Sequence, residues 1–260
     1  MTSLKQRLKI GEQVLGTMIT TFASPDIAKI VYNAGFDFMM VDCEHGAFTT
    51  REVANIIAEA RGIAFPVLVR IPEMRREHAL KFMEMGASGL LLPNTESVEQ
   101  ARMLVDCAKY MPLGHRGVSL SRPHTDFVKV SDGQTYMREA NENTLLLCQI
   151  ESRLGVEKID EIMGVEGIDA ALIGPNDMTQ DYSILDHFFD PEIVAAFKKV
   201  IAAAARHGKW SGVHFGAAEN LKPWLERGMT LNMCSSDCGL LLQGAKAMRG
   251  ILNGNAEGKA

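Results

Sequence analysis

Two acidic residues carry the clearest chemical signal in this chain of 260 residues. Glu151 closes one short apolar run, and Asp177 follows another through Gly174-Pro175-Asn176. Two carboxylates brought together in a partly dry pocket repel each other unless a cation joins them. Only two protein carboxylates would leave most coordination positions to water and substrate oxygens. That suits a hard octahedral ion, Mg2+ or Mn2+, with Co2+ as a further candidate. For Asp177 taken alone, the alternative is a cap on the helix that follows.

A third run ends in Asp42-Cys43-Glu44-His45. A carboxylate bonded to one ring nitrogen of a histidine fixes its tautomer and raises the basicity of the other nitrogen. Asp42 and His45, three residues apart, therefore read as a general acid/base; the plain alternative is a surface histidine after a strand. Glu44 stands either behind the metal or in a structural role. Arg70 directly follows Val67-Leu68-Val69. Its guanidinium suits a carboxylate or a developing oxyanion, or else a salt bridge within the rim. Gln149 lies two residues before Glu151, so in a strand both point to the same side, where Gln149 would meet the substrate or a metal-held water. No lysine ends a predicted strand. Metal-assisted carbonyl chemistry is thus favoured over an imine-forming lysine.

Short apolar runs alternate with helix-period segments along the whole chain. The predicted strands are 14–20, 36–41, 66–70, 89–92, 144–150, 170–173, 210–214 and 231–234. The predicted helices begin with one opened by Ser24-Pro25-Asp26 and stopped by Gly35, Ser24 serving as cap. Others cover 49–62, 77–85, 97–110, 155–163, 191–207, 218–227 and 239–252. A long connection, 111–143, carries two short turns and one helix near 134–140, and connections of that length usually serve a function or stay flexible. Eight strand–helix units predict a parallel sheet, and this length favours a closed (β/α)8 barrel over an open doubly wound sheet. One domain is expected over 1–260, with a frayed tail at 254–260. Active sites of such barrels lie at the C-terminal strand ends, where Asp42, Arg70, Gln149, Glu151, Asp177 and His214 all fall.

The composition agrees. A net charge of −5 argues against a nucleic-acid partner. No run is long enough for a membrane span, and no leader is evident. Five cysteines without a CxxC read as reduced thiols of a cytoplasmic protein. No GxGxxG follows the first strand, and no organic cofactor is expected.

The chain resembles the HpcH/HpaI family of metal-dependent (class II) pyruvate aldolases. The likeness rests on Ala34-Gly35-Phe36-Asp37, Val41-Asp42-Cys43-Glu44-His45, Val69-Arg70, Gly86-Ala87, Gly114-His115-Arg116-Gly117-Val118, Gln149-Ile150-Glu151-Ser152 and Ile173-Gly174-Pro175-Asn176-Asp177, in that order. The resemblance implies cleavage of a 4-hydroxy-2-keto acid to pyruvate and an aldehyde. It implies that Glu151 and Asp177 ligate the metal and that His45, supported by Asp42, handles the C4-hydroxyl proton. Arg70 would contact the C2 oxygen, Gln149 would sit beside the 2-keto acid, and backbone N–H groups near Pro175 and Asn176 would receive its carboxylate. It also implies a homo-oligomer built from dimers, up to a hexamer, with the last helix exchanged. The chain departs from the family pattern after His45, around Ser119–His124, and at His214-Phe215. Arg122, His124 and His214 there point to an anionic or hydroxylated distal end of the substrate. The rival readings are an acyl-CoA carbon–carbon lyase, an oxaloacetate decarboxylase, and a non-catalytic barrel binding a metal and a 2-keto acid.

Overall fold

A computed structural model describes residues 3–253; the expected frayed tail, 254–260, lies outside the described residues. The chain opens with α1 (Leu4–Lys9), then alternates: β1 (Val14–Ile19), α2 (Ile27–Asn33), β2 (Phe38–Asp42), α3 (Thr50–Gly62), β3 (Val67–Arg70), α4 (Arg76–Met85), β4 (Gly89–Leu92) and α5 (Val98–Ala108). A 3-10 turn at Pro123–Thr125 and α6 (Gly133–Asn143) fill the long connection. The second half runs β5 (Leu145–Ile150), α7 (Arg153–Glu157), α8 (Ile159–Met163), β6 (Ala170–Ile173), α9 (Pro175–Asp181), α10 (Pro191–Arg206), β7 (Trp210–Phe215), α11 (Ala218–Leu225), β8 (Leu231–Ser236) and α12 (Asp237–Leu252). All eight strands pair in parallel, and β8 closes on β1. This is the expected (β/α)8 barrel.

The pleat explains how the barrel positions its polar groups. Successive side chains of a strand face opposite sides, so residues two apart share a face. One set faces the interior: Phe38 and Met40 of β2, Leu68 of β3, Leu91 of β4, Leu145 and Leu147 of β5, Ala170 and Leu172 of β6, and Leu231 and Met233 of β8. Leu4 and Leu8 of α1 join this cluster from below, so the barrel has an apolar floor. The next inward positions are Asp42, Arg70, Gln149 and Gly174, which puts the polar layer at the C-terminal ends. Asp42 and Arg70 are direct partners in the β2–β3 register. The opposite set, with Val41, Val69, Leu146 and Ile173, packs under the helices. A β-carbon at Gly16 would stand 2.4 Å from the Phe38 ring, so only glycine fits there beside so large an interior side chain.

Several local expectations change. The helix after Ser24 starts at Ile27, with Asp26 at its N-cap, and Ser24 Oγ bonds Asp26 instead of capping. By contrast α3 begins where expected, with Thr49 capping it in a reciprocal bond with Glu52. The helix expected at 155–163 is two helices meeting at Lys158. Two helices had no counterpart in the sequence reading: α1, and α9, which is only seven residues long.

Candidate active site

Asp42 and Arg70 form a buried, two-pronged ion pair. Arg70 Nε donates to Asp42 Oδ1 at 2.8 Å and Nη2 donates to Oδ2 at 2.6 Å. Nη1 lies 3.1 Å from Glu44 Oε2. Burial pushes the Asp42 carboxyl up, but the guanidinium outweighs it and the net shift is downward. The salt-bridge reading of Arg70 is the one these contacts realise. Its two hydrogen bonds to Asp42 use two of its five N–H donors, and Nη1 is held near Glu44 as an ion pair.

This pairing corrects the expectation for His45. Asp42 Oδ1 accepts from the backbone N–H of Glu44 (3.0 Å) and of His45 (3.3 Å), so it shapes the turn rather than orienting the imidazole. The physical reason is competition: a planar guanidinium grips both carboxylate oxygens, and a charge-assisted pair is stronger than a bond to a neutral ring. The carboxylate facing the ring is Glu44, 3.9 Å from His45 Nε2. The His45 side chain is 68% exposed at the mouth. Glu44 is held between Arg70 and a weak bond from Asn94 Nδ2, and burial pushes its carboxyl up.

Glu151 sits deeper, with 4% of its surface exposed. Oε1 accepts from the Asn94 backbone N–H at 2.7 Å, and Oε2 from Gln149 Nε2 at 2.5 Å. Gln149 and Glu151 do share a face. Gln149 Oε1 has no partner among the described residues although it is buried. Burial pushes the Glu151 carboxyl up to about 7, and the charges of Asp177 and Glu44 push the same way against Arg70. Asp177 stands exposed in the first turn of α9 and makes no cap bond, so the capping alternative is not realised. No group of three or more His, Cys, Asp or Glu among the described residues is arranged to hold a metal ion. Glu151, which feels the charges of Asp177 and Glu44, and the partnerless oxygen of Gln149 are hard oxygen donors, of the kind that suits a cation keeping water and substrate oxygens as its other ligands.

Pro175 occupies the first position of α9 and has no N–H, so the free backbone donors of that turn are Asn176 and Asp177. His214 is brought to the site: its Nε2 donates to the Ser235 carbonyl at 2.9 Å. Burial lowers its pKa, and Arg70 adds to that. Arg122 and His124 are not brought there. His124 bonds the Glu84 carbonyl and lines a cavity with Leu4, Pro66 and Thr144, at the other end of the barrel. The thiol of Cys43 is pushed up to about 12, mainly by burial, and is no nucleophile at neutral pH.

Three positions at the strand ends had no role assigned from the sequence. Asn94 adopts φ +45°, which turns its N–H onto Glu151; its place at the end of β4 was the available signal. A β-carbon at Gly174 would stand 2.3 Å from Glu151 Oε2 and 2.8 Å from Gln149 Nε2. Asp237, buried at the end of β8, accepts from the backbone N–H groups of Thr20, Thr21 and Phe22 and so pins the β1–α2 loop at the mouth.

A (β/α)8 barrel with carboxylates and a guanidinium converging at its strand ends has the layout of an enzyme of carbonyl chemistry. The chain belongs to the HpcH/HpaI aldolase/citrate lyase family, which it matches over residues 18–243. It is 31% identical over 218 residues to the 5-keto-4-deoxy-D-glucarate aldolase of Klebsiella pneumoniae subsp. pneumoniae, 84% of either chain being covered. The solved HpcH/HpaI aldolase from Desulfitobacterium hafniense DCB-2 superposes with a TM-score of 0.91 at 37% identity, over 96% of this chain and 97% of that one. The citrate lyase beta subunit of M. tuberculosis, complexed with oxaloacetate and magnesium, shares the fold alone, with a TM-score of 0.55 at 13% identity over 88% of this chain and 93% of that one.

Proposed function

We propose that this protein is a metal-dependent aldolase that reversibly cleaves a 4-hydroxy-2-keto acid, of the sugar-acid type its relatives are named for, to pyruvate and an aldehyde. The observation that carries this reading is Glu151: a carboxyl buried against two further acidic groups and left in need of positive charge. A divalent cation held by Glu151 and Asp177, Mg2+ or Mn2+, would supply Lewis-acid polarisation of the 2-keto oxygen.

The protein's own groups account for the remaining steps. The N–H donors of Arg70 that do not bond Asp42 stabilise charge arriving at the 2-keto oxygen, and Asp42 holds that guanidinium still. His45 takes the proton of the C4 hydroxyl. The C3–C4 bond then breaks, its electron pair moves toward C2, and the aldehyde carbonyl forms at C4. The backbone N–H of Asn176 receives the substrate carboxylate. Gln149, fixed through Glu151, offers Oε1 to a hydroxyl or a water in the site.

The reading extends to assembly. Only Asp237 of α12 is buried, while Leu241, Leu242, Met248 and Ile251 lie 58–70% exposed along it. Such an apolar helix supports a homo-oligomer in which a second copy covers it. All five cysteines are free, which supports a reducing, cytoplasmic setting.

The direct test is pyruvate release from a 2-keto-3-deoxy acid. EDTA should abolish it, and Mg2+ or Mn2+ should restore it. Release that survives chelation sinks the proposal.

A further inference from the structure

A cavity of about 520 Å3, lined by both apolar and polar side chains, opens at the N-terminal end of the barrel, opposite the acidic mouth. That volume falls within the roughly 300–1,000 Å3 of small-molecule sites. Its lining includes Arg61, Arg116, His124, Tyr136, Glu139 and Thr144.

Arg116 is the unusual member. It is only 5% exposed, and neither its Nε nor its Nη2 has a partner among the described residues. Its guanidinium lies over the Tyr110 ring, 4.6 Å from the centroid, which satisfies a face of the group but none of its donors. Nε and Nη2 form one straight edge, the same edge by which Arg70 grips both oxygens of Asp42. A buried guanidinium edge without an acceptor is costly, and an oxyanion laid along it removes that cost.

His124 supplies the complementary feature. Its Nδ1 lies 3.2 Å from the Glu84 carbonyl, which can only accept, so Nδ1 carries the proton. Nε2 of the neutral ring is then an acceptor, and it too is buried without a partner. The surrounding charges leave room for an anion. Arg61 is paired with Asp126, Glu139 is exposed, and Glu84 acts on Arg116 only at a distance.

We propose that this cavity is a second ligand site, for a small oxyanion that carries a hydroxyl, either a hydroxy-carboxylate or hydrogen phosphate. The Arg116 edge takes two of its oxygens, and the hydroxyl donates to His124 Nε2. The site is separate from the catalytic mouth and does not depend on the aldolase reading.

Calorimetric titration of the metal-free protein tests it, with inorganic phosphate and D-glycerate as separate probes that distinguish the two sources. Saturable binding of at least one probe at millimolar concentration is expected. It should persist in Arg70→Lys, whose catalytic mouth is altered, and vanish in Arg116→Met, which keeps the packing over Tyr110. His124→Phe keeps the ring volume and should weaken binding by about tenfold, the worth of one buried hydrogen bond; it serves if Arg116→Met does not fold. A crystal grown with the binding probe should show it along the Arg116 edge. No saturable binding of either probe, equal affinity in the Arg116→Met or His124→Phe protein, or a side chain of a second copy filling the cavity would each overturn the proposal.

Discussion

At the scale of single residues, the division of labour at the mouth follows from which carboxylate meets which cation. Asp42 is committed to Arg70, so His45 stands free with Glu44 as its nearest acidic neighbour. On the proposed mechanism His45 is needed for the proton on the C4 hydroxyl but not for loosening a C3 proton of pyruvate. His45→Ala should lower aldol cleavage by about 10²–10⁴-fold, the usual worth of a general base, while retaining part of the exchange of pyruvate C3 protons in deuterated solvent. Equal loss of both would show that one base serves the two reactions. Gly174 matters at this scale through a side chain it lacks. In Gly174→Ala the new β-carbon must displace Glu151 Oε2 or Gln149 Nε2, so metal affinity measured by titration should fall while the protein stays folded. Undiminished affinity would mean that Glu151 is not a ligand.

Elements position these residues by their ends. The short α9 has Gly174 at its N-cap and Pro175 at its first turn, which pre-sets the turn that presents Asp177 beside β5. At the other side of the mouth, Asp237 joins the start of α12 to the loop after β1. Burial pushes its carboxyl up, but the N–H donors and the Thr20 hydroxyl outweigh this, and the net shift is downward. A carboxylate whose folded pKa is depressed stabilises the fold fully above its unfolded pKa, about 4, and loses that contribution as pH falls through the folded value. Asp237→Asn should therefore cost about 1–3 kcal/mol of unfolding free energy at neutral pH. The gap to wild type should close in acid, below the ordinary carboxylate range. Denaturant titrations at the two pH values check this, and a gap independent of pH would remove Asp237's charge from the account.

The whole molecule divides its two ends by polarity. Leu4 and Leu8 close the floor, and Lys5 pairs with Asp169 beside it at 2.6 Å. Lys109, also buried, donates to the carbonyls of Asn141 and Thr144; burial lowers its pKa to about 7 against the pull of Asp169. These contacts join α1, α5 and α6 to the starts of strands, leaving the C-terminal ends for chemistry. α12 is different, since its apolar residues face outward rather than onto the barrel. Leu241→Glu combined with Leu242→Glu should yield a smaller species than wild type by light scattering. A wild-type protein that is already monomeric would discard the role given to α12.

The sequence by itself determined the barrel, because short continuous apolar runs alternate eight times with 3.6-residue periods, as strands covered on both faces require. It also determined which end carries the polar residues, since Asp42, Arg70, Gln149 and Glu151 each continue the inward face of their own strand. Boundaries shifted by a few residues where local hydrogen bonds choose among similar caps, as at Ser24 and Asp26. α1 and α9 escaped because one or two turns carry too little periodicity to be read. Pairing across strands was decided only in three dimensions. Asp42 lies three positions from His45 along the chain, yet it faces Arg70 in the next strand, and the stronger two-pronged bond prevails. The long connection behaved likewise: Arg122 and His124 carry no periodic signal that fixes their direction, and packing against α4 took them to the far end of the barrel.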